Sequence, residues 1–214
     1  MFKTRTFRPA VLLVIGVVSL LAAVGSVAQA GDFVDLFNGE SLDGWRAAEN
    51  PGAFSVENGV IKVHGTRGHL FYEGEVQNHC WKNFHLQAVV MTKQNANSGI
   101  FIHTRYQDSG WPQIGYECQV ANTHPDPQKT GTIYNHCRVN PAPAQDDVWF
   151  TYDIIVEGKR IITKIDGKVC ADWTEPDDVP SDKTIRLSQG TFALQAHDPG
   201  SVVYFKSIKV KSLD

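Results

Sequence analysis

The chain has few of the features that mark helical or multidomain proteins. Beyond residue 30 it shows no helical spacing of apolar residues for more than two turns. It also shows no internal repeat, low-complexity tract or linker to a second domain. Residues 31–214 contain no basic cluster, which argues against a nucleic-acid-binding surface. These absences predict one domain built from strands.

Cysteine is scarce, with only four in the chain: Cys80, Cys118, Cys137 and Cys170. None belongs to a C-x-x-C motif and none lies beside paired histidines at ligand spacing, which excludes the common zinc patterns. In an oxidising compartment the four can form two disulfides, with three connectivities open. A buried free thiol at Cys118, on the apolar side of its predicted strand, is the alternative.

Residues 1–30 have the pattern of a secretory signal peptide. Lys3, Arg5 and Arg8 form a basic start, Ala10–Val24 is uncharged and apolar, and Ala28-Gln29-Ala30 offers the small residues that signal peptidase needs. The apolar run is short for a membrane span, which needs about 20 residues; an uncleaved anchor is the alternative. Cleavage would change the net charge from −3 to −6. We therefore expect a secreted or periplasmic protein, with no membrane contact after cleavage and residues 31–214 as a single domain.

The rest of the sequence reads as short strands with alternating polar and apolar residues, separated by Gly, Asn, Asp and Pro. Asn58-Gly59 and Asp166-Gly167 have the chemistry of tight hairpin turns, and Gly158 marks a third. This pattern predicts an all-β jelly-roll sandwich of two curved antiparallel sheets. The predicted strands are Phe33–Phe37, Phe54–Glu57, Val60–His64, Leu70–Tyr72, Phe84–Thr92, Gly99–Tyr106, Gly115–Ala121, Gly131–Tyr134, Trp149–Glu157, Arg160–Ile165, Lys168–Trp173, Thr191–Ala196 and Val202–Lys211.

Three of these strands each place two polar or ionisable residues on one face, opposite a mostly apolar set. The pairs are His103 and Arg105, Glu117 and Gln119, and Gln195 and His197. If the strands are neighbours, the pairs form one polar patch suited to a binding or catalytic site. The alternatives are a surface ion pair between Glu117 and Arg105, a turn-binding role for His197, and ordinary solvated glutamines.

Aromatic and histidine residues outside the patch are weaker candidates. Trp111, in a Gly-Trp-Pro loop, can stack on a sugar ring or simply anchor its loop. The remaining histidines are predicted to lie in loops or at the surface: His64, His69, His79, His85, His124 and His136.

Sequence blocks in order along the chain resemble the 3-keto-disaccharide hydrolase domain family. Asn97-Ser98-Gly99-Ile100 is similar to its "NSGI" block, and Glu117-Cys118-Gln119 to its "E-x-Q" strand. Asn135-His136-Cys137 departs from the family pattern. The other similar blocks are Leu36–Trp45, Lys129–Tyr134, Trp149–Gly167, Gly190–Ser201 and Phe205–Ile208. The resemblance implies a concanavalin-like jelly roll that acts on glycosides oxidised at C3, with an oxidised di- or oligosaccharide or glucoside as its partner.

A ketone at C3 acidifies the C2 proton, so that elimination can break the bond at C1 and water can then add back. This chemistry needs a base, an acid and a donor at the ketone oxygen. We expect Glu117 and His197 to share the acid and base roles and Arg105 with His103 to stabilise the enolate or bind hydroxyls. Gln119 and Gln195 would bind the sugar, and Lys129 is a second candidate at the oxyanion.

Three alternatives stay open at the level of the sequence. One is a divalent metal acting as Lewis acid, with Glu117 and His197 as ligands, although no cofactor is required. The second is a non-catalytic carbohydrate-binding module on the same fold. The third is a conventional glycosidase or polysaccharide lyase, which would need a second carboxylate near Glu117.

Overall fold

A computed structural model describes residues 1–2, 31–180 and 184–214. The predicted signal peptide therefore lies outside the described residues, apart from Met1 and Phe2. Thirteen strands and two short 3₁₀ helices, Pro51–Ala53 and Val76–His79, form the described part. The strands are β1 (Val34–Asp35), β2 (Trp45–Ala48), β3 (Phe54–Glu57), β4 (Val60–His64), β5 (Gly68–Tyr72), β6 (Phe84–Thr92), β7 (Ser98–Thr104), β8 (Tyr116–Val120), β9 (Phe150–Glu157), β10 (Arg160–Ile165), β11 (Lys168–Thr174), β12 (Thr191–Ala196) and β13 (Val202–Ser212).

Two antiparallel sheets form a jelly-roll sandwich, which confirms the predicted fold class. The larger sheet has the order β11-β10-β9-β6-β13-β4-β3, with β1 also paired to β13. The smaller sheet has the order β2-β5-β12-β7-β8. Among the described residues, no helix is long and apolar enough to cross a membrane.

The predicted turn chemistry is confirmed by the backbone. Asn58 and Gly59 have φ values of 52° and 79°, and Asp166 and Gly167 have 47° and 77°. Positive φ at both central residues is what a two-residue hairpin between twisted strands requires. Gly158 also has a positive φ of 60°. These turns fix the registers of the β3–β4, β10–β11 and β9–β10 hairpins.

The core lies between the sheets, where the alternate residues of each strand interdigitate. A second, smaller apolar cluster lies on the other face of the five-stranded sheet and consists of Ala48, Phe71, Phe101 and Ala193, with Tyr106 against it. This outer face is therefore partly apolar as well, which is why β5, β7 and β12 are buried along their whole length. The candidate site lies on this face.

One strand was missed and one strand prediction is wrong. Trp45–Ala48 is a strand that the sequence analysis did not predict. Gly131–Tyr134 is not a strand, since it turns back on itself and only Ile133 bridges to Cys118 and Cys137. All four cysteines are free thiols, and Cys118 is fully buried among apolar residues.

Candidate functional site

The registers of the five-stranded sheet align its outer side chains in rows across the strands. One row is Arg46, Phe71, Ala193, Phe101 and Glu117. In the next row Ala48 is opposite His69, and His69 is opposite Gln195. Because Leu194 is opposite Ile100, Gln195 lies beside Gly99, which in turn pairs with Gln119. The sheet thus brings Glu117, Gln119 and Gln195 together from two distant segments, as the sequence predicted.

Gly99 leaves the space that the Glu117 side chain occupies. A Cβ atom at position 99 would lie 2.3 Å from Glu117 Oε1 and 2.8 Å from its Cγ. The Glu117 carboxyl group therefore lies over Gly99 of β7 and does not extend away from the sheet. There the Gln195 Nε2 group donates a hydrogen bond to Glu117 Oε1 at 2.9 Å. The glycine of the Asn97-Ser98-Gly99 block has a steric purpose in this arrangement.

Burial changes the protonation of Glu117. Removing the carboxylate from water raises its pKa from 4.5 to about 8, the Coulombic effect of Asp126 adds to the rise, and the hydrogen bond from Gln195 opposes it. At neutral pH the side chain is therefore mostly a neutral acid. Since Oε1 accepts from Gln195, Oε2 is the oxygen left to carry the proton.

His197 follows β12 and is oriented by the turn after it. Its Nδ1 lies 2.8 Å from Asp198 Oδ2, which also accepts a hydrogen bond from the Ser201 hydroxyl at 2.7 Å. Ser201 Oγ in turn accepts from the backbone N–H of Asn97 at 2.8 Å. A neutral imidazole that donates Nδ1–H to a carboxylate keeps a lone pair on Nε2, so in this form His197 can act as a base.

Three buried amide oxygens of the site have no hydrogen-bond donor among the described residues: Asn97 Oδ1, Gln119 Oε1 and Gln195 Oε1. Each of these residues is at most 4% exposed. Buried polar atoms in native proteins are nearly always paired, and leaving one unpaired costs about 1–3 kcal/mol. These three oxygens are also shielded from the cavity, so a ligand could donate to them only after the amide groups rotate.

These side chains line a cavity of about 410 Å³. Its wall also includes Trp111, which is 39% exposed and whose ring lies 5.4 Å from that of His197. Glu49 holds the Trp111 loop in place, since it pairs with Arg67 and accepts a hydrogen bond from the Gly110 N–H at 3.0 Å. The volume and the exposed indole ring suit one pyranose ring and part of its substituent.

Several residues of the site were missed or misplaced by the sequence analysis. His69 is not at the surface but 1% exposed, with its ring 5.7 Å from Trp111, and burial lowers its pKa to about 4. Had the predicted strand begun at Gly68 rather than Leu70, alternation would have placed His69 on the face of Phe71. His69 contacts Trp111 but does not itself line the cavity, whereas Asn97, Tyr134 and His136 do. These last three lie outside the strands, where periodicity gives no signal.

His103 lies outside the cavity, contrary to expectation. Thr191 is opposite Thr104 but Ala193 is opposite Phe101, so β7 has one extra residue there. His103 adopts a φ of 52° within this bulge and turns into the end of the sandwich. Its Nε2 lies 2.9 Å from the Lys82 carbonyl oxygen, and its Nδ1 accepts a hydrogen bond from the Ser188 N–H at 3.2 Å. His103 is a structural residue of the β7 bulge.

Arg105 and Lys129 are also absent from the cavity wall. Arg105 follows the bulge, is exposed, and lines a different, more open depression with His79 and Gln189. The Lys129 ammonium group donates to the backbone carbonyl of His124 and so fastens its own loop. The expected roles of both residues in stabilising an enolate therefore have no geometric support.

Metal binding was an open alternative for Glu117 and His197. The described residues contain no group of three or more His, Cys, Asp or Glu side chains arranged to hold a metal ion. The Glu117 carboxyl bonds to an amide, and His197 Nδ1 is occupied by Asp198. The side chains at this site therefore do not fit a metal ion.

Solved structures with the same architecture act on or bind sugars according to their names. A proposed glycosyl hydrolase from Parabacteroides distasonis is 22% identical, with a TM-score of 0.72 over 86% of this chain and 94% of its own. A second structure of that description from the same organism is 21% identical, with a TM-score of 0.67 over 85% of this chain and 100% of its own. The carbohydrate binding module CBM66 from Bacillus subtilis is 12% identical, with a TM-score of 0.55 over 79% and 96%. At these identities the likeness establishes the fold.

Sequence comparison gives the family. The family model described as "3-keto-alpha-glucoside-1,2-lyase-like domain" matches residues 32–211, which is most of the chain. No curated protein has a significantly similar sequence.

Proposed function

Because the chain belongs to the 3-keto-alpha-glucoside-1,2-lyase-like family, we propose that it binds a glycoside oxidised at C3 and cleaves its glycosidic bond. The observation that carries the proposal is one cavity that holds a neutral carboxylic acid, Glu117, together with His197 and the amide side chains of Asn97, Gln119 and Gln195. A pyranose presents a hydroxyl group on nearly every ring carbon, and amide groups are suited to bind such hydroxyls. Trp111 would cover the apolar face of the ring.

His197 is the base in this proposal and Glu117 the acid. His197 Nε2 takes the proton from C2, and the electrons of the C2–H bond delocalise onto the C3 oxygen as an enolate. The amide N–H groups of Asn97 and Gln119 are the available donors for that oxygen. The enolate then expels the substituent at C1, and the neutral Glu117 carboxyl gives its proton to the departing oxygen.

Water completes the reaction if it reaches the unsaturated product. The water oxygen bonds to C1, His197 returns its proton to C2, and Glu117 recovers a proton from the water. The sum of the two stages is hydrolysis, with both side chains back in their starting protonation states. If the unsaturated sugar leaves first, the same residues make the protein a lyase.

A conventional glycosidase mechanism fits the cavity poorly. It needs two carboxyl groups on opposite sides of the glycosidic bond. Among the described residues that line the cavity, Glu117 is the only carboxylic acid. Asp126 accepts a hydrogen bond from the Tyr134 hydroxyl, and Asp198 is bonded to His197. Both carboxylates therefore contact residues of the cavity wall without lining the cavity themselves.

Two variants test the proposed roles. We expect Glu117→Gln and His197→Ala each to lower turnover of a 3-keto-glucoside by at least about 100-fold, the usual scale for a lost acid or base. The melting temperature of His197→Ala should stay within a few degrees of the wild type. Glu40→Gln and His64→Ala, both exposed and outside the cavity, are the matched controls. Normal turnover by both site variants would refute the assignment, and sugar binding without any turnover by the wild type would favour a binding module.

We also propose export to the periplasm or the medium, on the signal-peptide pattern of residues 1–30. Detection of a chain beginning at Gly31 outside the cytoplasm would support this, whereas a full-length cytoplasmic chain would contradict it.

A further inference from the structure

The cavity has two ends of different chemistry, and Glu117 lies between them. Along β7 and β8, Gln119 and Asn97 lie on one side of Glu117, with Gln195 and His197 facing them from β12. On the other side β8 continues back to Tyr116, beyond which the wall is formed by His136 and Ile185. We propose that Tyr116, His136 and Ile185 form a subsite for an apolar, aromatic leaving group of the glycoside. This inference rests on the proposed function.

Two of the three side chains, those of Tyr116 and Ile185, offer no free hydrogen-bonding group. The Tyr116 hydroxyl donates to Glu175 Oε1 at 2.7 Å and is thereby occupied. The rings of Tyr116, His136 and Trp173 pack edge to face or tilted at centroid distances of 4.8–5.3 Å. Burial lowers the pKa of His136, so its ring is uncharged at neutral pH. Among these three residues only the ring nitrogens of His136 could bind a hydroxyl group, so an aromatic ring fits this end better than a second pyranose.

Ile185 gives independent support because it is held exposed at this position. Its side chain is 49% exposed, although it lies in a short segment that three hydrogen bonds fix to the sandwich. The Gly115 N–H donates to the Thr184 carbonyl at 3.3 Å. The Leu187 N–H donates to Glu175 Oε1 at 2.6 Å, and the Ser188 N–H to His103 Nδ1 at 3.2 Å. Ile185 therefore adds apolar surface to the cavity wall at this end.

The position of the acid agrees with this division. A general acid must reach the oxygen that joins the sugar to its leaving group. Glu117 lies where the hydrogen-bonding end meets the apolar end, so the bond to be broken would cross it. The sugar would then occupy the end with the amide side chains, and the leaving group the end with Ile185.

Benzyl and methyl 3-keto-glucosides provide the direct test, because both release a primary alcohol and differ mainly in apolar surface. We expect kcat/KM for the benzyl compound to exceed that for the methyl compound by about tenfold or more, from burial of the phenyl ring. Ile185→Ser should reduce this ratio at least threefold. Val169→Ser, which alters another exposed aliphatic residue on β11, should leave the ratio unchanged.

A binding experiment separates this inference from the proposed function. Unoxidised benzyl and methyl glucosides can be titrated calorimetrically into the wild-type protein and the Ile185→Ser variant. Tighter binding of the benzyl compound, weakened by the substitution, would support the subsite even if no 3-keto-glucoside were cleaved. Equal affinity and equal kcat/KM for the two glucosides, or no binding of the benzyl compound, would overturn it.

Discussion

Glu117 keeps its proton at neutral pH because of the absence of a side chain at position 99. With no Cβ on Gly99, the carboxyl group lies flat on the sheet, where burial raises its pKa to about 8 and Gln195 is its hydrogen-bond donor. A neutral carboxylic acid in the same cavity as an imidazole bonded to Asp198 is an acid–base pair with the two roles already assigned.

The raised pKa of Glu117 predicts a pH dependence of stability. The folded-state value of about 8 exceeds the ordinary value of 4.5, so the native state binds this proton more tightly than the unfolded chain. The stabilisation is fully present below about pH 4.5 and is lost as the pH rises to about 8. Glu117→Gln removes this loss. Between about pH 5 and pH 8.5 the free energy of unfolding of the variant should rise relative to the wild type, by on the order of 3 kcal/mol.

Urea unfolding of both proteins across that pH range measures the difference. A constant difference between them would mean that Glu117 titrates as an ordinary surface carboxylate, and its role as a neutral acid would be lost.

Gly99→Ala tests the steric argument. The added methyl group would lie 2.3 Å from Glu117 Oε1, so the carboxyl group must leave its position beside Gln195. We expect turnover of a 3-keto-glucoside to fall by about 100-fold or more, because an acid displaced by an ångström loses most of its effect. Gly52→Ala is the control, since a Cβ at position 52 meets no atom within 4 Å. Full activity of Gly99→Ala would show that the glycine does not position the acid.

At the scale of single elements, the alternation of side chains along each strand predicted part of the site correctly. It gave the wrong face from His103 onwards. Glu117 and Gln119 share a face because β8 is regular, and Gln195 joins them because β12 is regular up to that point. The same rule placed His103 and Arg105 on this face. The extra residue in β7 reverses the alternation after Ile102, and a single sequence gives no sign of such a bulge.

The bulge contributes to the proposed subsite, because His103 accepts a hydrogen bond from the segment that carries Ile185. His103→Ala removes the acceptor of the Ser188 N–H and the partner of the Lys82 carbonyl. We expect a loss of about 1–3 kcal/mol in the free energy of unfolding, the usual cost of buried groups left unpaired. The preference for the benzyl over the methyl glucoside should fall while kcat/KM for the methyl compound changes little.

Arg105→Ala is the comparison, since Arg105 lies two residues further on, exposed and outside the cavity. Arg105→Ala should change neither the free energy of unfolding nor the preference for the benzyl over the methyl glucoside. A large loss of turnover in Arg105→Ala would instead support the role that the sequence predicted for Arg105 in the site.

At the scale of the whole molecule, the architecture was predictable because it depends on features that are local in sequence. The Asn58-Gly59 and Asp166-Gly167 turns and the period of two in β6, β9 and β13 are enough to indicate a two-sheet sandwich. The cavity was less predictable, because nine of the fourteen residues in its wall lie outside the strands. Trp111, Tyr134 and Ile185 reach it through loop contacts such as that of Gly110 with Glu49, which have no periodic signature.

The proposed mechanism requires a proton to leave C2 before the bond at C1 breaks, and one isotope experiment tests this directly. The wild-type protein is incubated with a 3-keto-glucoside in deuterium oxide, beside a sample of the released 3-keto sugar without protein to measure background exchange. We predict cleavage with deuterium at C2 of the sugar product, well above the background. Cleavage with only background deuterium at C2 would indicate displacement at C1 and would contradict the elimination mechanism.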